Sequence, residues 1–231
     1  MNDICKRIEE IRRRIEEAAK RRGRKPEEIT LLAAVKGVDS ERLKESISCG
    51  IQDIGENRVQ EAIRHRSEIV EAKPIHWHMI GHLQRNKVKK ALEIFDMIQS
   101  IDGLPLSEEV SQRALSLGKR MEILVEVNTS GEESKYGIPS DPLSVLNFVE
   151  RLAFLDGIRF RGLLTLGPFT PDPEGARPAY RALKSLRDFL EDQGIETPIL
   201  SMGMTHDFEV AIEEGSTMVR IGTGIFGQRF R

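Results

Sequence analysis

Cysteine is nearly absent: Cys5 and Cys49 are the only two in 231 residues, and they form neither a C-x-x-C pair nor a metal-ligand spacing. Such usage fits a reducing compartment, so no structural disulfide is expected. An excess of one charge is missing too. With 35 Lys and Arg against 37 Asp and Glu, the formal net charge of −2 gives no global field to draw in nucleic acid or an anionic membrane. Long apolar runs are lacking, and none approaches the ~20 residues of a membrane span. Met1-Asn2-Asp3-Ile4 leads into a charged segment without the apolar core of a signal peptide. There is no low-complexity tract, no linker and no short-period repeat. These absences leave a cytoplasmic protein whose partner is a small molecule, with no nucleic-acid and no membrane role. The length suits one domain, residues 1–231, around a continuous core.

What is present is alternation. Residues 3–22 place Ile4, Ile8, Ile11, Ile15 and Ala18 at three- and four-residue steps with charged residues between, which predicts an amphipathic helix. Next comes Ile29-Thr30-Leu31-Leu32-Ala33-Ala34-Val35, a nearly unbroken apolar run of the kind that forms a parallel strand buried on both faces. Further strands are expected at 52–56, 75–81, 95–100, 121–128, 158–166, 198–202 and 217–222, after a first at 30–36. Helical patterns lie between them near 40–49, 57–71, 84–92, 105–118, 141–155, 174–193 and 206–214. This is the count of a single α/β domain, a (β/α)8 TIM barrel with an extra N-terminal helix that caps a barrel end or meets a partner. A doubly wound open sheet gives the same alternation, but no G-x-G-x-x-G follows the first strand. The Pro-rich stretch 168–173 is read as a loop after the sixth strand.

In a barrel, chemistry sits at the carboxyl ends of the strands. Lys36 ends the first strand, on the side of Leu32 and Ala34 by the period of two. That side is read as the interior, where an ammonium is costly unless its charge is lost or paired, and a neutral amine is a nucleophile toward aldehydes. The competing reading is a lysine that snorkels to solvent. Ser201-Met202-Gly203-Met204-Thr205 follows the seventh strand and opens a helix, and Arg220-Ile221-Gly222-Thr223-Gly224 ends the eighth. Barrels often bind phosphate between these two loops. Arg220 falls on the interior face, with an ion pair to Glu126 as the alternative to ligand contact. Asn57, His78 and Asn128 also lie at strand ends. His76 and His78 share a face, but no third ligand with metal spacing accompanies them, and a hydrogen-bonded barrel histidine is the simpler reading. The run Arg85, Lys87, Lys89, Lys90 is read as a solvated helix face.

The segments Ala34-Val35-Lys36, Gly55-Glu56-Asn57-Arg58-Val59-Gln60-Glu61, His78-Met79-Ile80-Gly81-His82-Leu83-Gln84-Arg85-Asn86-Lys87, Ser201 to Thr205 and Val219 to Thr223 span nearly the whole chain. Together they resemble the pyridoxal 5′-phosphate (PLP) homeostasis family. The resemblance implies a barrel like the N-terminal domain of alanine racemase, with PLP held as a Schiff base on Lys36. It implies phosphate contacts from Ser201, Met202, Gly203 and Thr205 and from Gly222 and Thr223, with Arg220 near the pyridine nitrogen. Asn57 and His78 complete the expected cofactor-binding set. Thr205 stands where many relatives carry Ser, and the hydroxyl is retained. The implied role is a carrier or buffer of PLP without robust catalysis, a monomer with PLP-dependent apoenzymes as partners. An arginine at the pyridine nitrogen keeps its proton and leaves the ring a poor electron sink. Alanine racemase tolerates such an arginine but takes its second base, a tyrosine, from another domain, for which no room is expected after Phe230-Arg231. The alternatives are a fold-type III amino-acid racemase using Lys36 and a group such as Tyr136, or a barrel whose anion site holds another phosphorylated metabolite.

Overall fold

The computed structural model describes residues 3–69, 74–132 and 135–228. After helix α1 (Asp3–Arg21) come the parallel strands β1 (Thr30–Ala34), β2 (Asp53–Glu56), β3 (His76–Met79), β4 (Met97–Ile101) and β5 (Met121–Asn128). Past a two-residue β6 (Ile138–Pro139), paired with the end of β5, follow β7 (Ile158–Leu164), β8 (Ile199–Ser201) and β9 (Met218–Ile221). Leaving β6 aside, every strand pairs with the next, and β1 pairs with β9 through Leu32 opposite Arg220. That last pairing closes an eight-stranded barrel and excludes the open sheet.

The double burial of β1 shows why an apolar run was the right signal. Leu32 and Ala33, on opposite faces, are both fully buried. One faces the barrel interior and the other joins the layer between strands and helices, where most of the apolar core lies. The helices α2 (Ser40–Ser48), α3 (Val59–Glu68), α4 (Val88–Ile94), α5 (Leu104–Ser116), α6 (Pro142–Leu152), α7 (Arg177–Asp192) and α8 (Phe208–Glu213) surround it, with a short α9 (Thr223–Phe226) after the last strand. Two start on aspartate caps: Asp39 accepts from Arg42 N–H and Asp141 from Ser144 N–H, each at 2.9 Å. All eight expected strands are present, with most ends trimmed by one or two residues. The expected helix 57–71 runs from Val59 to Glu68, and its positions 70 and 71 lie outside the described residues.

Helix α1 neither caps a barrel end nor stands free. Because α9 spans only four residues, α1 takes the eighth place in the helical ring, packed on α2, α8 and α9. Ile4, Ile8, Ile11 and Ile15 are each at most 4% exposed, and burying a side chain of this size contributes about 1.5–3 kcal/mol. Arg14 pairs with Glu209, and Arg21 with Glu213, tying α1 to α8.

The expectation for cysteine is corrected. Packing α1 beside α2 brings Cys5 and Cys49 together as a disulfide with a Cα–Cα distance of 5.4 Å, across 44 positions of sequence. The ground for inferring a reducing compartment from two distant cysteines therefore falls away. No helix among the described residues is long and apolar enough to cross a membrane.

Candidate functional site

At the carboxyl ends of β1, β2, β8 and β9, with the loop after β7, lies a cleft of about 370 Å³. Six of the ten nominated residues line it: Lys36, Asn57, Thr205, Arg220, Gly222 and Thr223. Pro168, Phe169 and Thr170 of the Pro-rich loop form another wall, as do Met204, His206 and Asp207. These were not nominated, although their placement after strands offered the signal.

Lys36 departs from expectation in one respect. β1 stops at Ala34, so Lys36 sits in the following turn with an exposed side chain and escapes the cost of a buried ammonium. It still shares the cleft with Ala34.

Opposite stand two crossovers joined by hydroxyl contacts. Thr205 Oγ1 accepts from Gly224 N–H at 3.1 Å and lies 3.2 Å from Thr223 Oγ1. The loop before it is closed on itself, with Met204 N–H donating to Asp207 Oδ1 at 2.6 Å and Phe208 N–H to the Met204 carbonyl at 2.9 Å. This geometry needs Gly203. Its φ is +96°, and a Cβ there would come within 2.6 Å of Ala211 Cβ and 3.0 Å of Phe208 Cα.

His78, Ser201, Met202 and Gly203 do not line the cleft. His78 and Ser201 belong instead to a hydrogen-bonded chain through the barrel interior. Arg220 Nη1 donates to Ser201 Oγ at 2.7 Å, and Ser201 Oγ donates to Gln99 Oε1 at 2.8 Å. Gln99 Nε2 donates to His78 Nδ1 at 3.0 Å, which places the ring hydrogen on Nε2, 3.1 Å from Asp53 Oδ1. Arg220 Nη2 also donates to the Thr165 carbonyl at 2.8 Å. The chain satisfies a set of otherwise costly buried polar groups and fixes the guanidinium at the cleft. Gln99 and Thr165 were missed. A glutamine amid the apolar residues of β4 was the available signal; Thr165 acts through its backbone, which leaves none.

No ion pair joins Arg220 to Glu126 among the described residues. Burial nevertheless pushes the Glu126 carboxyl up to about 7, the Arg220 charge pulling it down and Asp102 adding to the rise. Burial also lowers the Arg220 guanidinium from its ordinary value. Tyr136 is exposed, stacked on His82 at a centroid distance of 4.2 Å, and does not line the cleft. His82 is in turn 3.2 Å from Asp102. No three His, Cys, Asp or Glu side chains converge as metal ligands among the described residues.

Residues 7–229 match the family model described as alanine racemase, N-terminal domain. A curated relative, the pyridoxal phosphate homeostasis protein of Aquifex aeolicus, is 41% identical, with 98% of this chain and 99% of that protein aligned. Among solved structures, PipY of Synechococcus elongatus with PLP bound is 29% identical with a TM-score of 0.79, covering 93% of this chain and all of that one. An alanine racemase from Clostridium difficile shares the fold at a TM-score of 0.74 and 16% identity, over 95% of this chain and 56% of that one.

Proposed function

Because the chain belongs to the alanine racemase N-terminal-domain family, and its curated relatives along the whole length are pyridoxal phosphate homeostasis proteins, we propose that it binds PLP in this cleft as an intracellular carrier. The observation that carries the reading is the convergence of Lys36, Thr205, Arg220, Gly222 and Thr223 on one cleft from three separate strand ends. The donor set suits the ligand: a primary amine for an aldehyde, two hydroxyls and glycine backbone for a phosphate, and a fixed guanidinium for a ring nitrogen. When bound, PLP supplies an aldehyde that condenses with a primary amine with loss of water. Lys36 offers that amine from an exposed turn, open to exchange with other amines and to hand-over of the cofactor to PLP-dependent apoenzymes. Thr205 and Thr223 orient the phosphate. Arg220, anchored by Ser201 and Thr165, holds the ring edge without giving up its proton, which supports retention more than carbanion chemistry. Asn57 contacts the cofactor from the end of β2, and His78, Ser201, Met202 and Gly203 act by supporting Arg220 and the β8 loop.

The racemase alternative draws no support from Tyr136, which is turned to His82. The test is to incubate the full chain with PLP, reduce with borohydride and map the added mass. One adduct on the Lys36 peptide, absent in Lys36→Ala, is expected; labelling elsewhere or none overturns the reading. Steady racemisation of an L-amino acid by the loaded protein would overturn the carrier role.

A further inference from the structure

The turn that carries Lys36 is fastened to the next β/α unit at three points. Residues 35–38 form a β-turn closed by a 3.0 Å hydrogen bond from Val38 N–H to the Val35 carbonyl, with Lys36 second and Gly37, at φ +67°, third. Val35 N–H donates to the Gly55 carbonyl at 3.0 Å, and Gly37 N–H to Glu61 Oε2 at 3.2 Å. The third fastening is a side chain: His65 Nε2 lies 3.0 Å from the Val38 carbonyl. His65 is fully buried, and so is Glu56, whose Oε1 is 2.6 Å from His65 Nδ1.

Protonation in this unit follows from its acceptors. A carbonyl only accepts, so Nε2 carries a hydrogen, and the approach of Arg64 Nη2 to 3.3 Å is not a hydrogen bond. Nδ1 then shares one proton with Glu56. The Glu56 hydrogen bond holds His65 above the usual imidazole range, and burial holds Glu56 above the usual carboxylate range. Both directions favour retention of the shared proton. Glu61 and Arg64 of α3 are the other charged groups acting on the pair, with opposite signs. Once the proton is lost at alkaline pH, a lone pair on Nδ1 faces a carboxylate and the contact turns repulsive.

We propose that His65, held by Glu56, is the positioning residue for the Lys36 amine: by fixing the Val38 carbonyl it sets the direction in which the turn projects that amine into the cleft. The inference rests on the reading that Lys36 condenses with PLP, and it adds two buried residues that line no part of the cleft.

The full chain is mixed with PLP and quenched with borohydride at intervals, and labelling of the Lys36 peptide is followed by mass from pH 6 to 9. Wild type, His65→Leu, His65→Gln and Glu56→Gln are compared, each checked for folding by circular dichroism. His65→Leu should slow labelling about tenfold or more, whereas His65→Gln, whose amide can still donate to Val38, should recover to within about threefold of wild type. As the shared proton is lost with rising pH the wild-type labelling rate is expected to fall, and Glu56→Gln, which removes that titration, should abolish the fall. A folded His65→Leu chain labelled at the wild-type rate overturns the proposal. If that variant does not fold, slow labelling of His65→Gln together with an unchanged Glu56→Gln profile overturns it. Absence of Lys36 labelling in the wild type sinks the PLP reading instead, so the two failures are distinguishable.

Discussion

Glu126 and Arg220 share the barrel interior without forming an ion pair: burial raises the Glu126 carboxyl to about 7, and the Arg220 charge keeps it from rising further. A carboxylate raised in the folded state costs stability in its charged form. Between its ordinary 4.5 and about 7 the native chain keeps a proton that the unfolded chain has released, so stability falls as pH rises through that window and levels off above it. The loss is on the order of 3 kcal/mol.

Glu126→Gln is therefore expected to remove this dependence. Urea unfolding at pH 5 and pH 8 should show the variant gaining on wild type by about 1–3 kcal/mol across the interval. An equal difference at the two pH values would rule out Glu126 as the titrating group.

Arg220→Ala removes the donors to Ser201 and to the Thr165 carbonyl, and it also removes a buried charge that no carboxylate among the described residues neutralises directly. The chain is expected to fold with a loss of about 1–3 kcal/mol and to retain PLP more weakly. Without the arginine the Glu126 titration should move up, a shift that carboxyl NMR detects. A chain that fails to fold would restore the interior ion-pair account, whereas a downward shift would show that the Arg220 charge does not act on Glu126.

Gly203→Ala meets two obstacles at once, a φ of +96° and a contact of 2.6 Å with Ala211 Cβ within α8. The expected cost is about 2–4 kcal/mol, seen as a lower denaturation midpoint, with the 204–207 loop displaced and PLP bound less tightly. Wild-type stability in this variant would show that the β8 turn is more compliant than its close packing implies.

Much of the site was legible because strand ends are legible. Apolar runs closed by Lys36, by Thr205 after Ser201 and by Gly222 mark where β1, β8 and β9 must deliver their next residues, and in a barrel those places converge. The period of two also put Arg220 indoors, where it is 4% exposed. What periodicity does not report is which polar neighbour an inward side chain selects. His78 and Ser201 stood at plausible ends, yet Gln99 engages both, the first from 21 positions away and the second from 102.

The pattern of residues by itself determined the alternation of strands and helices, the eight-strand count and the residues delivered to the mouth, since each depends on local periodicity and turn chemistry. Only the tertiary structure decided that α1 completes the helical ring, that Cys5 meets Cys49, and that His65 reaches the carbonyl of Val38. These are contacts between residues 27 to 44 positions apart or more, set by how the packed helices lie around the barrel, a relation that no spacing in a linear chain encodes.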